Sequence, residues 1–306
     1  MLLGIEIGGT KLQLVLGDGS GKILRRERCS VDKARGGEGI RGQIRASIPR
    51  LLGGEKIAAT GVGFGGPVDW RTGGICCSHQ IGGWSEFKLG AWLRELTSRP
   101  VHVDNDANTA CLGEALCGAG QGRNPVFYVT LGSGVGGGLV VEHRIYHGAT
   151  PGEAEIGHVR LDRSGTIVED RCSGWAVDCR IREAIKSSGG KLAQLCGGMN
   201  GGEARHLAAA FKEGDSLANQ IIEEIAGDLA FALSHVVHLC HPEVIIMGGG
   251  LSLVGEPLRA AIASALPRFV MHAFHPVPAI SLAALGEDAV PTGALLLAKL
   301  AAEFGK

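Results

Sequence analysis

The sequence predicts an α/β protein, and three observations carry that expectation. Apolar runs of strand length alternate with longer segments of helical period. Glycine clusters close three of the apolar runs. The plan of strand, glycine turn, strand occurs twice, which suggests two related halves. At 306 residues the chain has the length of two domains of roughly 150 residues each.

Taken in order, residues 3–7 and 12–16 are apolar strands joined by Gly8-Gly9-Thr10-Lys11. Asp18-Gly19-Ser20-Gly21 is a second turn before a strand at 22–28. Residues 39–52 have helical spacing, with Ile40, Ile44, Ile48 and Leu51 on one stripe. Residues 57–64 read as a buried strand ending in Gly65-Gly66-Pro67. A short helix at 89–97, a strand at 101–103 behind Pro100, and a helix at 107–117 follow. The second block opens with strands at 126–131 and 138–141, flanking a glycine-dense turn. Residues 176–185 and 217–239 are helical, the latter with Leu217, Ile221, Ile225, Leu229 and Leu233 along one face. Residues 244–247 form a buried strand that runs into Gly248-Gly249-Gly250 and a helix, and residues 292–304 form a last helix.

Composition narrows the function. Apolar residues make up 45% and charged residues 20%, a balance that argues against disorder. The formal net charge of −1 and the lack of any Lys/Arg run give no support for a polyanion-binding surface, so neither nucleic acid nor membrane is expected as a partner. No apolar run approaches the ~20 residues that span a bilayer. Met1-Leu2-Leu3-Gly4 has no basic segment ahead of an apolar stretch, and the nine cysteines are irregularly spaced without a C-x-x-C pair. A soluble cytoplasmic protein with reduced thiols is the expectation. Glycine numbers 50 of 306, well above the usual 7% or so, and points to tight turns and close backbone approach to a ligand.

Three glycine turns follow apolar strands, where backbone N–H groups can converge on phosphate oxygens. Gly8-Gly9-Thr10-Lys11 adds a hydroxyl and an ammonium; alone, it reads first as an ordinary hairpin. Gly132-Ser133-Gly134-Val135-Gly136-Gly137-Gly138 is denser than a hairpin requires, and Gly248-Gly249-Gly250 sits at a strand's C-terminal end, where ligands bind in open α/β sheets. None is a dinucleotide or P-loop fingerprint; together they favour a nucleotide. Between them lies Asp104-Asn105-Asp106-Ala107-Asn108, at a strand end and helix start. One helix cap would explain one of its four polar residues. A carboxylate there could accept the proton of an attacking hydroxyl. In Gly152-Glu153-Ala154-Glu155-Ile156-Gly157-His158, Glu155 and His158 could meet a polyhydroxylated ligand, and Glu169 alone reads as a surface carboxylate. His235, His238, Cys240 and His241 include ligand types at i,i+3, but the run leads into a strand and is expected to be a solvated helix end.

The ordered set Gly4–Lys11, Asn105–Asn108, Gly132–Gly138, Glu155–His158 and Val244–Gly250 resembles the ROK family of bacterial sugar kinases and repressors across residues 3 to 300 or so. The resemblance implies an actin-like ATPase (hexokinase/Hsp70-type) fold, with two α/β domains around an ATP and sugar cleft. The expected division is 1–118, with a C-terminal helix near 291–306 packing back on it, and 119–290. The resemblance implies ATP-dependent phosphorylation of a hexose hydroxyl, of glucokinase type, with Asp106 as the general base. It further implies sugar contacts from Gln80, Asn105, Asp106, Glu155, His158 and Glu169. ATP would be held by Gly8, Gly9, Thr10, Lys11, Gly132, Ser133, Gly134, Gly248, Gly249 and Gly250, and Mg²⁺ by Glu6, directly or through water. Glu6 stands where relatives commonly have Asp, Gly65 where a proline is usual, and Gln80 where Asn is frequent. The family's C-x-C-G-x-x-G-C-x-E zinc motif is missing after His158: no cysteine precedes Cys172 in that stretch, Ile167 falls near the last ligand position, and no structural zinc is expected. Cys172 and Cys179 are expected on the helix that follows, in a structural role. A homodimer is common among relatives.

Two other readings compete. A sugar-responsive repressor would need a helix-turn-helix module ahead of the first strand, and this sequence starts directly in that strand. A regulator that binds sugar without turnover would have no use for the base at Asp106. Kinases for an N-acetylated hexose or fructose remain within the same class.

Overall fold

The structure is a computed structural model that describes residues 1–78, 81–150 and 152–304. The chain divides into two compact units. The first comprises residues 1–122, 138–153 and 284–306, and the second comprises 123–137 and 154–283. The expected division at 118 and 290 differs from these units chiefly in residues 138–153, which pack with the first.

The first unit is built on the hairpin β1 (Leu2–Ile7) and β2 (Lys11–Gly17), extended by β3 (Ile23–Ser30). After α1 (Gly36–Leu52) come β4 (Thr60–Phe64) and a small hairpin of β5 (Val68–Asp69) and β6 (Gly74–Ile75). Then follow α2 (Leu89–Thr97), β7 (Val101–Asn105) and α3 (Asp106–Cys117). The five-stranded order is β3-β2-β1-β4-β7, with β1, β4 and β7 mutually parallel. Parallel strands covered on both faces need continuous apolar runs, and Leu3, Ile5, Val62 and Val103 are all buried. Each such side chain contributes about 1.5–3 kcal/mol of burial.

The second unit opens with β8 (Val126–Leu131) and the start of β9 (Val135–Val141), whose end pairs with β10 (Arg144–Ile145). Short helices α4 (Val168–Cys172), α5 (Gly174–Ala184), α6 (Lys191–Cys196) and α7 (Leu207–Lys212) precede the long α8 (Ser216–Cys240). β11 (Val244–Gly248), α9 (Glu256–Ala265) and β12 (Ala279–Leu282) complete it. The sheet order is β10-β9-β8-β11-β12, with β8, β11 and β12 parallel and β10 and the end of β9 belonging to the 138–153 segment of the first unit. On α8 the residues Ile221, Ile225, Leu229 and Leu233 are buried along one face, as the helical spacing predicts. No helix among the described residues is long and apolar enough to cross a membrane.

Three expectations need correcting. Gly136, Gly137 and Gly138 lie within β9 rather than in a turn. A Cβ on Gly138 would stand 2.8 Å from the Ala107 carbonyl, so these glycines admit a neighbouring backbone. The strand expected at 57–64 starts only at Thr60. Cys172 and Cys179 fall on different helices: Cys172 ends α4 and is buried, whereas Cys179 is exposed on α5.

The last helix, α10 (Ala289–Phe304), belongs to the first unit and packs on β1, β4 and α3. Its contact is backbone-close. A Cβ on Gly61 would overlap the Ala294 carbonyl, and one on Gly293 would overlap that of Thr109. Glycine composition therefore serves packing here as well as turns. The fully buried Glu114 on α3 locks the same region, accepting backbone N–H groups from Ala119 (2.9 Å), Ala284 (3.1 Å) and Leu285 (2.8 Å).

Candidate active site

The residues singled out from the sequence fall into two groups, one in each unit. In the first unit they gather at the C-terminal ends of β1, β4 and β7. The β1–β2 turn is closed by the Gly8 N–H donating to the Lys11 carbonyl at 3.0 Å. Glu6, on β1, accepts from Gln13 Nε2 at 2.6 Å and lies 3.4 Å from Lys11 Nζ. Gln13 is fully buried and in turn accepts from Arg28 Nε at 2.7 Å. Burial raises the Glu6 carboxyl above the usual carboxylate range, although Lys11 and Gln13 oppose that shift. Beside the turn is a narrow crevice lined by Gly8, Gly9, Phe64, Gly65, Ile81 and Trp84. Gln80 lies outside the described residues.

The Asp104–Asn108 cluster resolves into distinct jobs. Asn105 is the N-cap of α3: its Oδ1 accepts from the Ala107 and Asn108 N–H groups at 2.8 and 3.3 Å, and its Nδ2 donates to the Gly66 carbonyl at 3.1 Å. One amide hydrogen is left over. Asp104 is buried and turns away, its Oδ1 accepting from Asn105 N–H and Asn108 Nδ2. Asp106, the first residue of α3, accepts the Ala107 N–H through Oδ1 at 2.9 Å. A Cβ on Gly65 would stand 3.3 Å from Asp106 Oδ2 and 3.6 Å from Gly8 Cα. The Asp106 carboxylate therefore flanks the first glycine turn. At Gly65 a proline would have no N–H, whereas this Gly65 N–H donates to the Ile7 carbonyl at 2.8 Å.

In the second unit, the Gly132–Gly134 turn is held by two backbone bonds. Gly132 N–H donates to Gly134 O at 2.9 Å, and Gly174 N–H donates to Gly132 O at 2.7 Å. Glu169, in the first turn of α4, accepts the Val135 N–H at 2.7 Å, and a Cβ on Gly134 would meet its Oε2 at 2.5 Å. Its Oε2 thus braces the turn, a contact that no local sequence pattern indicates. Glu155 and His158 flank a single 3₁₀ turn and are exposed, while Gly157 between them is buried where a Cβ would overlap the Val135 carbonyl. Gly248 ends β11 against the Tyr128 ring. Gly249 has a φ of 81°, with the Leu131 backbone 2.6–2.7 Å from a would-be Cβ, and only glycine meets both demands. Gly250 has open space beside it. Among the described residues no three ligand-type side chains of segment 158–172 converge. His238 Nε2 accepts the Met271 N–H at 3.1 Å, and His241 stacks on Phe274 at 4.2 Å.

Sequence reasoning missed a cluster in the first unit: His102 and Asp104 on β7, and His147 and Glu153 from the 138–153 segment. His147 Nε2 lies 3.3 Å and His102 Nε2 3.7 Å from Asp104 Oδ2, while His147 Nδ1 donates to Glu153 Oε1 at 3.2 Å. Burial disfavours the charged His147 ring, but Asp104 and Glu153 outweigh it and push its pKa up to about 9.

The model of the ROK family matches residues 2–301. A glucokinase of Thermotoga maritima is 30% identical over 97% of both chains, and one of Halalkalibacterium halodurans is 32% identical over 97% of this chain and 94% of its own. The crystal structure of a ROK family glucokinase from Streptomyces griseus, in complex with glucose and AMPPNP, superposes with a TM-score of 0.84. It is 29% identical and covers 98% of this chain and 99% of its own.

Proposed function

The chain belongs to the ROK family and is an ATP-dependent sugar kinase of the actin-like ATPase fold; from that premise we propose that its acceptor is a hexose, glucose foremost, and that Asp106 is the general base. One observation carries the base assignment. Of the two aspartates around the Asn105 cap, Asp104 is buried and committed to Asn105 and Asn108, whereas Asp106 opens α3 beside the Gly8–Gly65 crevice.

The chemistry follows from those positions. A sugar hydroxyl gives its proton to Asp106 as its oxygen forms a bond to the γ-phosphorus. The bond from that phosphorus to the β,γ-bridging oxygen breaks, and ADP leaves with the electron pair. The spare Asn105 amide hydrogen, together with Glu155 and His158, would hold further hydroxyls. The turns at Gly8–Lys11, Gly132–Gly134 and Gly248–Gly250 would give backbone N–H groups to the phosphates. Glu169 would brace the middle turn through Oε2 and meet a sugar hydroxyl through Oε1. Glu6 offers hard carboxylate oxygens with lone pairs remaining beyond Gln13 and Lys11, a donor set that suits hydrated Mg²⁺. When bound with ATP, that ion neutralises phosphate charge.

The test is Asp106→Asn in a coupled ADP-release assay over glucose, mannose, fructose and N-acetylated hexoses, with calorimetric sugar binding alongside. Turnover on the preferred sugar should fall by roughly 10²–10⁴-fold while the sugar Kd stays within about threefold. Undiminished turnover would remove Asp106 from the mechanism, and a preference for an N-acetylated hexose would replace the glucose assignment.

A further inference from the structure

We infer that His102, Asp104 and His147 form a binding site for a divalent transition-metal ion, separate from the phosphoryl-transfer residues and lying wholly within the first unit. His102 and Asp104 are two apart on β7, so both side chains emerge on one face of the strand. The 138–153 segment brings His147 to them. The three ligand atoms, His102 Nε2, Asp104 Oδ2 and His147 Nε2, all lie within 4.8 Å of one another. Zinc bonds to nitrogen and oxygen of about 2.0–2.1 Å give tetrahedral edges of about 3.3–3.4 Å. The His147–Asp104 separation is 3.3 Å and the His102–Asp104 separation 3.7 Å.

A second observation points to a ligand. Asp104 is only 1% exposed, yet its Oδ2 has no hydrogen-bond partner, and neither has the buried Nε2 of His102. At 3.3 Å His147 Nε2 is within ion-pair distance of Asp104 Oδ2, the proton between them being what a cation would replace. Buried polar atoms left this way are costly unless something joins them. The three atoms lie close enough together to share one cation.

The surroundings are those of a built site. His147 donates its other ring nitrogen to Glu153, which fixes the tautomer that leaves Nε2 as a ligand. Asn108 Nδ2 donates to Glu153 at 2.6 Å and to Asp104 Oδ1 at 3.1 Å, tying both carboxylates in place. Trp70 stacks on the His147 ring at 4.2 Å. Both histidines line a pocket of about 850 Å³ that also exposes Arg94, Arg99 and Arg144. The pocket reaches both imidazole rings, and its arginines would suit an anionic fourth ligand such as hydroxide or inorganic phosphate. Two imidazoles and one carboxylate select a borderline ion such as Zn²⁺ over Mg²⁺ or Ca²⁺.

The readout is the metal itself, so the outcome is independent of the kinase assignment. Chelator-treated full-length protein is titrated with Zn²⁺ by calorimetry and with Co²⁺ by visible absorption. One site per chain with four-coordinate Co²⁺ bands is expected. His102→Gln and His147→Gln should each abolish it, and Glu153→Gln should weaken it by roughly 10–100-fold. Absence of binding would favour a histidinium clasped between two carboxylates and overturn the proposal. So would binding unchanged in the histidine variants, which would move the ion elsewhere, for instance to His272 and His275, whose rings are 5.4 Å apart in the second unit. Should a variant fail to fold, crystals of the unaltered protein soaked in Zn²⁺ decide: an anomalous peak among His102, Asp104 and His147 supports the site, and a map with none there refutes it.

Discussion

The two sheets repeat one plan and equip it differently. In β3-β2-β1-β4-β7 and in β10-β9-β8-β11-β12, a hairpin turned on glycine leads into parallel strands. The ends of the first sheet carry side-chain chemistry: Glu6, Asp104, Asp106 and His102. The ends of the second carry backbone, at Gly132–Gly134 and Gly248–Gly250, with Glu169 accepting the Val135 N–H beside the first of these turns. On the proposed reading, the contrast is one of emphasis: the first sheet's ends add the base to a glycine turn, and the second unit adds two more glycine turns beside Glu155 and His158. A reacting proton needs a titratable group at one fixed point, whereas a polyphosphate is best met by many weak donors with no side chain in the way.

Substitutions can break that contrast, and Asp106→Asn is expected to have the largest effect, on turnover alone. Next comes Gly249→Val, which demands a φ of 81° from a β-branched residue and drives its Cβ into the Leu131 backbone. It should raise the KM for ATP at least about tenfold and lower stability by about 2–3 kcal/mol, with sugar affinity little changed. A Gly249→Val enzyme whose sugar and ATP constants worsen equally would show that the Gly248–Gly250 turn does not serve the nucleotide alone. Glu114→Ala strips the carboxylate from three backbone N–H groups in the first unit and should cost about 3 kcal/mol in urea unfolding. A loss below about 1 kcal/mol would mean that water replaces it.

The smallest effect concerns Cys172, buried in the second unit. Burial, with Asp228 assisting, pushes its thiol up to about 12. The folded state therefore keeps a proton that the unfolded chain loses above about pH 8.5, so stability declines as pH rises through that window, by at most about 1.4 kcal/mol per unit. Urea midpoints at pH 8 and pH 10 should converge for Cys172→Ala relative to the unaltered protein; parallel shifts in both would exclude the thiol as the source.

Much of this was legible in the sequence because it rests on local pattern. Strand and helix periods placed β1, β2, α3 and α8 to within a residue or two, and the polar run at 104–108 flagged the end of β7. What pattern could not do was allot roles inside that run. Asn105 as cap and Asp104 as buried anchor follow from partners that lie in other segments, such as Gly66. Glu169 read as a surface group because its acceptor role exists only once α4 meets the turn at Val135. His102 and Asp104 did leave a trace, since residues two apart in a strand share a face. His147 left none, because only folding brings it to β7.

The seating of α10 on β1 and β4 also bears on how the protein is made. Its residues are the last of this sequence to leave the ribosome, so the opening strands emerge long before the helix that covers Gly61 exists. At roughly 5–20 residues per second the wait is on the order of ten seconds or more. Meanwhile the stretch 154–283 is made without interruption. The half that appears first is thus the half finished last, and a nascent chain stalled before residue 289 would present an uncovered apolar sheet to chaperones.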